Sequence, residues 1–165
     1  MNYKRAFCCT RPAGFTLVEL AIAILILVVI LMLAVPSLDG VMADRRLRKS
    51  LDNFNEIVRQ AQERSIAERR PYLIIWREGK IGLRAEGLRQ GEDRAPVALL
   101  KLTKDESLKF SFPAAMMEDP PAEWIFWPSG NCEPAVVTYR GRNGGWTASY
   151  SALTARPEIV AYVAK

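Results

Sequence analysis

The chain has 165 residues, half of them hydrophobic, with 23 basic and 18 acidic side chains and no histidine. That length allows one ordinary domain plus an appendage, and the missing histidine removes the usual triad base and the commonest zinc ligand. Lys4, Arg5 and Arg11 supply three of the five excess positive charges ahead of an apolar run, so the pI of about 9.3 points only weakly to nucleic acid.

The apolar run dominates the amino-terminal quarter. Sixteen apolar residues follow one another from Leu20 to Val35, with Glu19 directly at their head and Phe15, Leu17 and Val18 before it. A bilayer core of about 30 Å takes ~20 helical residues, and Phe15 to Val35 supplies 21. The small residues Ala13 and Gly14 precede the run instead of following it, and "PSLDGVMADRR" offers no signal-peptidase site, so the segment is expected to stay on the mature protein. Positive charge ahead of it places that end in the cytoplasm and exports the bulk of the chain. Arg45, Arg46, Arg48 and Lys49 on the far side act against this rule, about two helical turns beyond the core.

A carboxylate in a helix at bilayer depth costs a few kcal/mol and usually marks function. Two readings of Glu19 follow from its position. It has a partner that neutralises it at that depth, or it rests in the headgroup zone, favoured by the positive end of the helix dipole.

Beyond Pro36 the helical period continues. Leu47, Leu51, Phe54, Val58 and Ala61 recur at steps of four and three, a narrow apolar stripe. Arg45, Arg48, Lys49, Asp52, Asn55, Glu56, Arg59, Glu63 and Arg70 form the opposite, solvated face, and Pro71 ends the pattern. One helix from about Phe15 to Arg69 would be about 80 Å long. Its second half needs a cover for the stripe.

Strand patterns supply that cover. "YLIIW" (Tyr72–Trp76), "EGK" and "IGLRA" (Ile81–Ala85) read as a hairpin. Further strands are expected at Val97–Leu102, Lys109–Phe112, Trp124–Trp127, Val136–Arg140, Trp146–Tyr150 and Glu158–Val163, with "GRNGG" as a turn between the sixth and seventh. The expected fold class is α+β, a long helix packed on an antiparallel sheet. The boundaries are an amino-terminal segment over residues 1–14, a membrane half over 15–36, an amphipathic continuation over 37–70 and a β-rich domain over 71–165.

Searches for chemistry give little. "GRNGG" joins two strands and opens no helix, as a phosphate cradle requires, and CxxC metal spacing is absent. No catalytic residue, metal or cofactor is expected. Trp76, Trp124, Trp127 and Trp146 fit core positions on alternating strands better than base-stacking platforms. Cys132 follows two cysteines, Cys8 and Cys9, that precede the apolar run; it is either a small buried hydrophobe or an intermolecular partner.

"GFTLVEL" at Gly14 to Leu20 resembles the prepilin signature of type IV pilins and of the pseudopilins of type II secretion systems. The resemblance implies cleavage between Gly14 and Phe15 by a prepilin peptidase and N-methylation of Phe15. It also implies a filament in which Glu19 meets the Phe15 amine of a neighbouring subunit and sets register, and a helix kink at Pro36. Pro12 and Gly14 disfavour helix, which leaves an extended segment for the peptidase. Phe126, Pro128 and Gly130 in "WIFWPSGNCEPAVVTYRGRNGGWTASYSALTARPEIV" are similar to the Phe-x-Pro-x-Gly of H-type pseudopilins and FimT-like minor pilins. "LTARPEIV" departs from the Thr-Gly-Arg often found there. The implied partners are other pilins or pseudopilins, the peptidase and membrane lipid, with the chain in a bacterial inner membrane before filament entry. A second reading is a DNA-binding minor pilin, in which Arg140, Arg142 and Arg156 form a basic patch.

Overall fold

The computed structural model describes residues 14–77, 79–93, 95–114 and 122–165, the side chains of 33–39 excepted. The chain divides into two compact units, Met1–Asp39 and Gly40–Lys165. One helix, α1 (Leu17–Glu68), contributes to both. In the first unit its described side chains from Leu20 (58% exposed) to Met32 (72%) are apolar and exposed on every side, the pattern of a helix that needs an apolar surrounding. Among the described residues no helix is long and apolar enough to cross a membrane. The expected span of Phe15–Val35 runs past Met32 into side chains outside the description, and so does Pro36, the expected kink.

In the second unit the helix is amphipathic and the stripe read from the sequence is its buried face. Leu47, Leu51, Phe54, Val58 and Ala61 are all at most 7% exposed. Ala43, Ile57 and Ser65 widen it, Ser65 satisfied by donating its hydroxyl to the Gln62 carbonyl at 2.8 Å. The helix ends where Pro71 forbids continuation. Arg69 turns left-handed at φ 50°, Arg70 N–H reaches the Ser65 carbonyl and Arg69 N–H the Ile66 carbonyl. This is a Schellman closure with arginine where glycine is commoner.

Eight strands follow, one at each expected place: β1 (Tyr72–Arg77), β2 (Lys80–Ala85), β3 (Ala98–Lys101), β4 (Ser107–Ser111), β5 (Glu123–Phe126), β6 (Ala135–Gly141), β7 (Gly144–Tyr150) and β8 (Pro157–Ala164). They form two four-stranded antiparallel sheets, ordered β3-β2-β1-β5 and β4-β6-β7-β8, where the sequence suggested one. Alternation explains the layers: β7 buries every second residue, Trp146, Ala148 and Tyr150 among them, and β1 and β2 bury Tyr72, Ile74, Ile81, Leu83 and Ala85.

Phe54 is fully buried at the centre, with Phe110, Trp146 and Tyr150 rings 5.8–5.9 Å away. Trp76 of β1 stacks on Phe110 of β4 at 3.9 Å, and Trp124 of β5 meets Tyr150 of β7 edge-on at 5.2 Å, so aromatic pairs join the two sheets. Four polar rungs fix the helix along the domain: Tyr162 OH donates to Asp44 Oδ1 (2.8 Å), Trp146 Nε1 to Ser50 Oγ (2.9 Å), Tyr150 OH to Asn55 Oδ1 (2.6 Å), and Gln62 Nε2 to the Gly130 carbonyl (2.7 Å). Buried polar atoms need such partners, and no described buried side-chain nitrogen or oxygen lacks one.

Arg70 departs from the solvated face expected of it. Its guanidinium is mostly covered and donates to Glu68, to Glu92 at 2.6 Å and to the Gly87 carbonyl, tying the loop after β2 to the helix end. The Arg70 hydrogen bond, with a second from Arg89 N–H, holds the Glu92 carboxyl down at about 2. A depressed carboxyl stabilises the fold above its unfolded value of about 4.5 and loses that contribution as pH falls toward 2. Protection factors of the amides of residues 86–93, in which the intrinsic pH dependence of exchange is divided out, are therefore expected to fall selectively between about pH 4.5 and 2, and that fall is expected to vanish in Glu92→Gln. Protection that falls equally in the variant refutes this tie.

Candidate functional site

The site begins with a short sequence. Gly14, Phe15 and Thr16 are non-helical, and the helix starts at Leu17. Thr16 is the cap: its hydroxyl accepts from Glu19 N–H at 3.2 Å, and its carbonyl accepts the first helical bond from Leu20 N–H at 3.2 Å. Thr16 is thus an N-cap, and the Glu19 carboxylate lies in the first helical turn, where the helix dipole favours it. The Gly14–Phe15 bond lies just outside the helix. Phe15 is 85% exposed, and nothing approaches within 4 Å of the place a side chain on Gly14 would fill. The arrangement offers an accessible, non-helical peptide bond shortly before an apolar helix that starts at Leu17. Glu19 is exposed, and among the described residues it makes no ion pair. The capping role was open to sequence reading through the Thr-x-x-Glu spacing, a signal that the prepilin resemblance overshadowed.

The three arginines of the second reading are all exposed but are not together. Arg140 is the penultimate residue of β6, opposite Gly145, and Arg142 lies in the β6–β7 turn. Arg156 precedes Pro157, which pairs with Tyr150 at the other end of β7. Six residues of strand, about 20 Å, separate the two ends. The single basic patch expected of them is therefore corrected to a pair plus a distant third. Lys165 joins the pair instead: its N–H donates to the Asn143 carbonyl, and with Arg140, Thr138 and Thr147 it lines an open cavity of about 370 Å³ on the outer face of the second sheet.

Trp124 and Trp146 are core residues, and Trp76 and Trp127 are half-buried. Cys132 is 3% exposed, its thiol donates to the Ser151 carbonyl at 3.6 Å, and burial pushes it up to about 11. It behaves as a small hydrophobe with an inert thiol. Pro128 and Gly130 build the turn after β5: Gly130 N–H donates to the Trp127 carbonyl, Gly130 adopts φ 85°, and a Cβ there would stand 3.0 Å from Ile66 of the helix. Phe126 of the same motif is fully buried. The Phe-x-Pro-x-Gly pattern thus serves the seating of helix on turn, through Gln62 and Ile66.

Residues 9–35 match the model of the prokaryotic N-terminal methylation motif. No curated protein sequence matches the chain. Among solved structures, the type IV minor pilin FimU of Pseudomonas aeruginosa is similar with a TM-score of 0.52 at 13% identity, over 72% of this chain and 90% of that one. The minor pseudopilin EPSH of the type II secretion system of Vibrio cholerae is similar with a TM-score of 0.52 at 12% identity, over 72% of this chain and 96% of that one. At such identities the likeness is one of fold: the chain carries a methylation motif and has the pilin-like α+β fold.

Proposed function

We propose that the chain is a minor pilin-type structural subunit, a minor pseudopilin or minor pilin. In this reading it is cut between Gly14 and Phe15 by a prepilin peptidase, N-methylated on Phe15, held in a bacterial inner membrane, and then drawn into a filament. One observation carries the reading: a methylation motif over residues 9–35 whose Gly14–Phe15 bond stands accessible at the mouth of a capped apolar helix. Its work is assembly, not catalysis. The described side chains from Leu20 to Met32, apolar all round, suit first a bilayer and then a bundle of like helices. Cleavage would create a positive amine on Phe15 about one turn from Glu19. The carboxylate first neutralises its own amine and then, in the filament, that of a neighbour.

The capping geometry makes the test sharper. Glu19→Gln keeps the backbone N–H donated to Thr16 and removes only the charge, so membrane insertion and helix start stay intact. Incorporation of the variant into filaments, measured by immunoblot of sheared filament fractions, is expected to fall about tenfold or more. Incorporation equal to the parent chain overturns the pairing. Mass spectrometry of the mature amino terminus checks processing separately: an N-methylated Phe15 is expected. The DNA-binding reading keeps only the Arg140 and Arg142 pair with Lys165 as its geometric support.

A further inference from the structure

The outer face of the first sheet holds an arrangement that folding alone disfavours. Register places Arg77 directly opposite Lys80, and Lys80 directly opposite Lys101. Directly opposed residues share a face, so three cations stand in one cross-strand row, about 5 Å apart from strand to strand. Like charges so placed destabilise a sheet. All three are exposed, as is Arg84 further along the same face, and among the described residues none of the four makes an ion pair. Glu123, half-buried opposite Ile75, is the one described carboxylate on β1, β2, β3 or β5. Glu78, in the β1–β2 turn, lies outside the described residues.

Behind the row the surface is apolar and concave. Ile75 pairs with Gly82, where the missing side chain leaves room for Pro96, and Gly82 pairs with Leu99, which is 48% exposed. Two cavities of about 340 and 220 Å³ open there, and Ile75, Arg77 and Arg84 line both; Glu123 also lines the first, while Pro96 and Leu99 make the second the apolar one. Guanidinium groups over an apolar floor match carboxylates in a bidentate manner.

We propose that this face docks a carboxylate-bearing segment of a partner protein, one that alternates acidic and apolar side chains. A nucleic acid fits poorly: the row is only three strands wide, and no described aromatic side chain of the Gly40–Lys165 unit is exposed for base stacking. A bilayer fits poorly as well, since its interface takes protruding apolar side chains, and here the apolar atoms of Ile75, Pro96 and Leu99 line a cavity beside charged groups, Glu123 among them. Docking goes beyond the filament reading and does not require it, because a chain that never assembles still presents this face.

The test uses the full chain in neutral detergent micelles and a fluorescein-labelled peptide of about ten residues alternating Glu and Leu, followed by anisotropy. Saturable, salt-sensitive binding is expected. Lys80→Glu puts a carboxylate between Arg77 and Lys101; it is expected to weaken binding about tenfold or more while raising Tm by a few degrees. Arg77→Gln with Arg84→Gln is expected to weaken binding likewise, and Arg140→Gln with Arg142→Gln to leave it unchanged. Absence of binding, equal losses in all variants, or a lower Tm in Lys80→Glu overturns the proposal. So does tighter binding of single-stranded DNA or of phosphatidylglycerol vesicles that Lys80→Glu abolishes.

Discussion

Phe54→Ala is expected to destabilise the Gly40–Lys165 unit by about 3–5 kcal/mol, the usual cost of emptying a large aromatic site in a core that cannot collapse. Phe54 is wholly buried and touches rings from β4 and β7, so its removal loosens the helix from the second sheet at several points together. Two of those rings are also fixed to the helix by hydrogen bonds, Trp146 through Ser50 and Tyr150 through Asn55, and these bonds oppose relaxation into the void. Urea unfolding of the full chain followed by tryptophan fluorescence measures the loss. A change below about 1 kcal/mol would show that the site refills and that the helix is held mainly by its polar rungs.

The second large effect is expected at Gly144, the first residue of β7. Its φ of 124° disfavours any other residue, and an added Cβ would stand 2.0 Å from the Val163 carbonyl oxygen and 3.0 Å from Ala164 Cα. Both obstacles are backbone, so the only relief is separation of β8 from β7. Gly144→Ala is therefore expected to cost about 2–4 kcal/mol, with amide protection lost first along Pro157–Ala164. Gly91→Ala isolates the conformational part: φ there is 90° and nothing lies within 4 Å. It is expected to cost about 1 kcal/mol. Equal losses at the two glycines would refute the steric argument.

Local patterns made much of this fold legible. Periodicity along one helix needs no knowledge of the partner, so the stripe from Leu47 to Ala61 could be read directly, and each of the eight strands lies where alternation and turn residues put it. Partition into two sheets was not legible, because it rests on distant pairing. β5 returns across some fifty residues to β1, Tyr72 facing Phe126, and β4 pairs with β6 instead of with the preceding strand. Arg70 was misread for a related reason: Glu92, which captures it, is 22 residues away on a loop. At the amino terminus the motif was legible because its chemistry is local, all within Gly14 to Leu20. The row of Arg77, Lys80 and Lys101 is not legible in the sequence, because strand register aligns it and sequence spacing alone does not. The grouping of Arg140, Arg142 and Arg156 failed in the opposite sense, since nearness in the chain was taken for nearness in space across a strand's length.

The polar rungs between helix and domain have a mechanical consequence. Asp44, Ser50, Asn55 and Gln62 are spread over nearly the whole buried length of the helix, and each grips a different point of the domain. A tension applied along the helix axis meets these bonds side by side and not one after another. Load is shared, as in a lap joint, and rupture requires several to yield together. A helix peeled sideways from its amino-terminal end would instead meet them singly, beginning at Asp44. The domain should thus be strong against pulling along the helix and weak against peeling.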